Sequence, residues 1–184
     1  DFDTLAADVV ALMDHLKMAR AHFLGLSMGG MVGQYLGLNS PQRFTTLQLV
    51  STSSRIPDEM RHLWDERVKV TREKGMASQV DPAMQRWVSE AGRKRPALVA
   101  RLAKMIETTP VEGYIGWCQA IQGLNVTDRL KAITLPTITP TTLLAAEKAE
   151  SIAKRGLSFA ELSNPDAHYL ERLLVGEIQW AMQR

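Results

Sequence analysis

The sequence predicts an α/β fold, a doubly wound and mostly parallel sheet carrying an inserted helical segment, and three observations lead there. Apolar residues at helical spacing alternate with short apolar runs, so helix, strand, helix and strand succeed one another in the first 53 residues. That order implies parallel pairing, because a parallel connection must cross over through an element such as a helix. From about Pro57 to Gln122 the pattern turns helical without a convincing strand, and after Asp128 the sheet pattern returns. The expected organisation is residues 1–56 as core, 57–125 as the helical insertion and 126–184 as the returning part of the core.

Each element has its own warrant. Thr4 is expected to cap a helix whose apolar positions Leu5, Val9, Leu12, Met13 and Leu16 make one buried stripe. His22-Phe23-Leu24-Gly25-Leu26 is short, apolar and followed at once by Ser27-Met28-Gly29-Gly30, which reads as a buried strand turning sharply. Met31, Val32, Tyr35, Leu36 and Leu38 supply the next helix, and Asn39-Ser40-Pro41 ends it, because proline disfavours helical geometry in the residue before it. Leu47 to Val50 is the second strand. Leu130 and Ile133 fit a short helix capped by Asp128, and Leu135 to Ile138 a strand stub. Leu143 to Lys154 reads as a helix, Leu157 to Leu162 as a strand, and Leu170, Leu174 and Ile178 as one face of a final helix.

Composition narrows the function classes. At 184 residues, with 45% hydrophobic and 23% charged side chains, the chain has the makeup of a folded soluble domain. One cysteine, Cys118, excludes an intramolecular disulfide and an all-cysteine zinc site. A net charge of +2 is too small to argue for nucleic acid. With no long apolar run and no basic-then-apolar start, no membrane partner is expected and the cytoplasm is the default location. Between Glu59 and Lys104, however, 11 basic side chains face 6 acidic ones. That excess is either a solvated surface or an attraction for an anionic substrate.

Gly25-Leu26-Ser27-Met28-Gly29 has the form G-x-S-x-G. A serine on a tight strand-to-helix turn projects its hydroxyl out of the fold, and flanking glycines relieve crowding there. Backbone N–H groups at the start of the following helix, that of Met28 in particular, suit an oxyanion. Ser27 is accordingly read as a nucleophile, the plainer reading being a Gly-Ser turn without chemistry. Its hydroxyl needs a base. Of the four histidines, His15, His22 and His62 read as packed or solvated. His168 follows the last predicted strand, at the sheet edge where ligands approach an open α/β fold, and is the candidate base rather than a surface or capping histidine. An orienting acid should leave the strand at Pro136-Thr137-Ile138, yet Thr139-Pro140-Thr141-Thr142 carries no carboxylate. Asp128, Glu147, Glu150 and Asp166 are poorly placed substitutes.

From Phe23 through Gly25-Leu26-Ser27-Met28-Gly29-Gly30 to Gln34 the chain resembles the α/β-hydrolase superfamily, and within it the 3-oxoadipate enol-lactonases. Trp64-Asp65-Glu66-Arg67-Val68, Arg86-Trp87, Gly113-Tyr114 and Trp117-Cys118-Gln119-Ala120-Ile121 look like that family's helical cap. The resemblance implies opening of a carboxylate-bearing enol-lactone through an acyl-enzyme, with Ser27 as nucleophile, His168 as base and the Met28 N–H as one oxyanion donor. A His-Gly oxyanion loop and a Gly-x-x-Asp turn carrying the acid have no counterpart. The sequence is therefore expected to be partial, either joined segments of a longer protein or a truncated product. Arg86 and Arg67 are the candidates to pair with the substrate carboxylate, the plainer reading of each being an ordinary surface charge. Trp64, Trp87 and Trp117 are candidates for substrate walls, although large rings at helical spacing are more often core. Cys118 is expected to be structural. No cofactor and no metal are expected, and the partner is a small anionic lactone or ester. A carboxylesterase or acyltransferase of the same fold, and an inactive remnant serving as a structural or binding module, remain open.

Overall fold

In the computed structural model, which describes residues 1–139, the first element is helix α1 (Phe2–His15). Its cap is Asp1, whose carboxylate accepts from the Thr4 N–H at 2.9 Å and the Thr4 hydroxyl at 3.0 Å. Thr4, the expected cap, is thus the donor: an aspartate three residues earlier brings full negative charge to the helix's positive end. The buried stripe also differs from expectation. Phe2, Ala6 and Met13 are buried, whereas Leu12 and Leu16 are exposed. At 100° per residue, the face that packs on the next helix carries positions 2, 6 and 13 and turns Leu12 and Leu16 away.

Strand β1 (Ala21–Leu26), helix α2 (Met28–Asn39) and strand β2 (Phe44–Val50) follow in order. Strand β3 (Thr137–Ile138) completes a sheet of order β1-β2-β3, with both pairings parallel as predicted. Phe23 stands opposite Leu47, which in turn stands opposite Thr137. β2 begins three residues earlier than its apolar run, because Phe44 is fully buried and meets Phe23 edge-on at 5.9 Å. β3 is shorter than expected. Pro136 has no N–H to pair, although its carbonyl accepts from Leu47 at 3.0 Å.

Helix α2 is buried from Gly30 through Gly37, between the sheet and α1. A methyl at Gly33 would lie 2.5 Å from Leu49 Cδ2 and 2.6 Å from Phe23 Cε1, so this helix can sit close to the strands only without side chains there. The opposite sheet face is open among the described residues. Strand alternation turns Leu24 and Leu26 onto it, and they are 40% and 50% exposed, so β1 is not the wholly buried strand its apolar run suggested.

The helical excursion comprises α3 (His62–Lys74), α4 (Val80–Trp87), α5 (Glu90–Arg93), α6 (Pro96–Glu107) and α7 (Val111–Gln122). Its two ends are stitched together. The Ile56 N–H donates to Leu124 O at 3.1 Å, Val126 N–H donates to Ser54 O at 2.8 Å, and the Ser54 and Thr127 hydroxyls meet at 2.8 Å. Met76, Ala83, Met84, Val88 and Ile106 form a small core of their own. Helix α7 serves both cores, sending Val111 and Tyr114 to this one and Ala120 and Ile121 to the larger core over the sheet. The short helix after it is a 3₁₀ segment, Thr127–Ala132, flanked by Val126; Asp128 lies in its first turn and does not cap it. The expected elements at 143–154, 157–162 and 170–178 lie outside the described residues.

Leu47 is fully buried at the centre of β2 and Leu26 is half-exposed at the end of β1. Leu47→Ala is expected to lower stability by about 2–5 kcal/mol, a fall in Tm of roughly 5–15 °C by circular dichroism. Leu26→Ala should move it by no more than about 2 °C.

Candidate active site

The bend between β1 and α2 is set by how closely two backbone segments approach. A methyl on Gly25 would lie 2.3 Å from both the carbonyl carbon and the oxygen of Gly29, and one on Gly30 would lie 2.6 Å from Thr52 Cβ. Both are distances that real methyl carbons do not reach. Chain reversal within this space drives Ser27 to φ 52° and ψ −110°, a left-handed conformation that costs a non-glycine residue about 1–3 kcal/mol.

The backbone of Ser27 is fully engaged. Its N–H donates to Val50 O at 2.9 Å, and its carbonyl accepts from the Met31 N–H at 3.1 Å and the Thr52 hydroxyl at 2.8 Å. Its own hydroxyl makes no capping bond to α2, because the cap geometry in which a serine reaches back to the helix requires extended backbone. Ser27 is therefore exposed with its hydroxyl uncommitted to the helix. As the first residue of α2, Met28 has an N–H with no acceptor inside the helix, at the positive end of the helix dipole. An electrophile at this hydroxyl would meet a directed donor as negative charge developed on its oxygen.

The expected base, His168, lies outside the described residues, as do Glu147, Glu150 and Asp166. Among the described histidines, His22 is bonded to the Thr46 hydroxyl at 2.8 Å near the start of β1. With about 3.3 Å of strand per residue it sits roughly 16 Å from Ser27. His15 and His62 are exposed helix-end residues.

The predicted substrate-binding side chains fall into two groups. Arg67 on α3 lies over the Trp64 ring at 4.3 Å and acts electrostatically on Arg86 of α4 and Tyr114 of α7. Partial burial, then repulsion by Arg67, lowers the Arg86 guanidinium below its ordinary value, with Tyr114 opposing; it stays cationic. Among the described residues neither Arg67 nor Arg86 has an ion-pair partner. Trp117 and Trp64 pack against the larger core, Trp117 edge-on to Phe2 at 6.2 Å. Trp87 is 57% exposed, because Ala83, Met84 and Val88 take the inward side, so its ring is not part of the core. No hydrogen bond or ion pair among the described residues joins Ser27 to either arginine.

Of two polar residues beside this group, Tyr114 is singled out in the sequence only as part of the cap resemblance, and Gln79 is not singled out there. The Tyr114 hydroxyl donates to Oε1 of buried Gln79 at 3.2 Å. Tyr114 and Cys118 are one helical turn apart, a spacing that would have paired them. Cys118 is free and buried; burial pushes its thiol up, with Tyr114 and Arg67 opposing. Among the described residues no group of three or more His, Cys, Asp or Glu could hold a metal ion, and no helix is long and apolar enough to cross a membrane.

A family model described as alpha/beta hydrolase fold matches residues 1–148. The chain is 32% identical over 137 residues to 3-oxoadipate enol-lactonase 2 of Acinetobacter baylyi, covering 74% of this chain and 51% of that protein. Among solved structures, a hydrolase from Pseudomonas aeruginosa is 34% identical with a TM-score of 0.71, covering 75% of this chain and 52% of that one. The enol-lactonase of Burkholderia xenovorans is 32% identical with a TM-score of 0.70, covering 75% and 53%. The chain thus spans about half the length of the curated relatives it matches.

The close approach at Gly25 has a direct test. Gly25→Ala must displace backbone and is expected to cost about 1–3 kcal/mol. Gly29→Ala meets nothing within 4 Å and should leave thermal stability unchanged or raise it, since alanine favours helix. Equal losses in Tm for the two variants would contradict the packing described.

Proposed function

The chain belongs to the α/β-hydrolase family, and on that premise we propose that it acts as a serine hydrolase on carboxylic esters, with an enol-lactone bearing a carboxylate, of the 3-oxoadipate type, as its substrate. The observation that carries this reading is Ser27: backbone polar groups all engaged, an exposed residue whose hydroxyl makes no cap bond, and on the next residue an N–H with no acceptor inside the helix. The lactone preference is supported by the name of the Acinetobacter relative and by two arginines without acidic partners among the described residues.

In the proposed mechanism His168 takes the Ser27 proton as the hydroxyl oxygen bonds to the lactone carbonyl carbon. The carbonyl electron pair moves onto oxygen, facing the Met28 N–H. When it returns, the ring C–O bond breaks, the enol oxygen leaves with its electron pair and takes the proton from His168. The enol becomes a ketone, and the acyl group stays on Ser27. Water then adds to the acyl carbon, giving its proton to His168, which passes it back to Ser27 as the acid departs. The product carries two carboxylates where the lactone carried one, which gives Arg67 and Arg86 a role: their guanidiniums hold the carboxylate already present in the substrate.

Ser27→Ala is expected to lower turnover of the enol-lactone and of 4-nitrophenyl acetate by roughly 10³-fold or more. Turnover that survives the substitution would reject the reading. Arg86→Ala should raise KM for the anionic lactone by about tenfold and leave KM for the neutral ester within about twofold. An equal rise for both would remove the arginine from carboxylate recognition and favour a general esterase.

A further inference from the structure

We propose that Thr52 is a positioning residue that aims and polarises the Met28 N–H through the Ser27 carbonyl. The inference rests on the reading of Ser27 as nucleophile. The Ser27 carbonyl and the Met28 N–H belong to one planar trans amide, so fixing the direction of the C=O fixes that of the N–H on its far side. Two donors hold this carbonyl. Met31 N–H, at 3.1 Å, is the first bond of the helix, and helix ends fray. The Thr52 hydroxyl, at 2.8 Å, comes from outside the helix and pins the same oxygen to the end of β2. A hydrogen bond accepted by an amide oxygen also strengthens the donor at the other end of that amide.

Everything around Thr52 constrains where its hydroxyl goes. Ser51 before it takes φ 47°, a left-handed turn that folds the chain back over the bend. Gly30 lacks the methyl that would strike Thr52 Cβ at 2.6 Å. On one side Val50 O is bound by the Ser27 N–H at 2.9 Å, and on the other Ser53 O is bound by Nε2 of buried Gln34 at 3.0 Å. On this proposal the hydroxyl acts through the Ser27 amide rather than by touching substrate. Its effect falls on the step in which charge develops on the substrate oxygen, the only moment at which the Met28 donor gains strength.

The test compares the 184-residue chain with Thr52→Val, which keeps the side-chain shape and deletes the hydroxyl, and Thr52→Ser, which keeps the hydroxyl. Readouts are kcat and KM for 4-nitrophenyl acetate, Ki for phenylboronic acid, which forms a tetrahedral adduct on serine, and Tm. Thr52→Val should lower kcat about five- to tenfold and raise the boronate Ki by a similar factor, with KM within about twofold. Thr52→Ser should restore both to within about twofold of the parent. Thr52→Ala supplies the same deletion if the valine chain does not fold. An unchanged kcat and Ki in the folded deletion variant, a change in KM alone, or a serine variant as impaired as valine would overturn the proposal. Hydrolysis that persists in Ser27→Ala would instead overturn the nucleophile reading, and this inference with it.

Discussion

The fold around the site depends on one steric constraint: Gly25 at the end of β1 lies against the backbone of Gly29 and Gly30 with no room for a methyl group. That contact lets the chain leave a strand and enter a helix within a single residue, and the residue caught between them is Ser27. Its left-handed backbone is the consequence, held by hydrogen bonds to Val50, Met31 and Thr52. The same geometry that strains the backbone frees the hydroxyl. A serine in an ordinary capping conformation would spend its oxygen on the helix. Here the oxygen makes no such bond, and the helix N–H of Met28 has no acceptor among the described residues.

The helical excursion adds a second element of logic. It leaves the core at residue 55 and returns at 125 across a bridge, so its internal packing is built separately around Met76, Met84 and Ile106 while α7 keeps it attached. Within it, burial and then the neighbouring Arg67 lower the Arg86 guanidinium below its ordinary value, with Tyr114 opposing. The basic bias visible in the composition between Glu59 and Lys104 thus has a local focus, on the Trp64 ring and beside Tyr114.

Much of this was legible in the residues alone. Helix, strand, helix, strand and parallel pairing followed from apolar periodicity, and the bend from the glycine spacing around Ser27. Periodicity could not say which side of α1 would be covered, since Leu12 and Leu16 fit the same stripe as Met13; only the packing of α2 decides that. It could not separate a capping Thr4 from a capping Asp1, both good cap residues three positions apart. The bond from Thr52 was hidden because its partner is a backbone atom 25 positions away, and backbone atoms leave no trace in sequence. The bond between Tyr114 and Gln79 was hidden for a similar reason, joining two elements 35 positions apart.

The central claim is that the hydroxyl raised on this bend does covalent chemistry. Peptide mapping by mass spectrometry after treatment with a serine-directed fluorophosphonate tests it most directly. The account predicts one adduct, on the peptide containing Ser27, with no other serine or threonine modified. A chain that takes up no label, or takes it up at another residue, would contradict it.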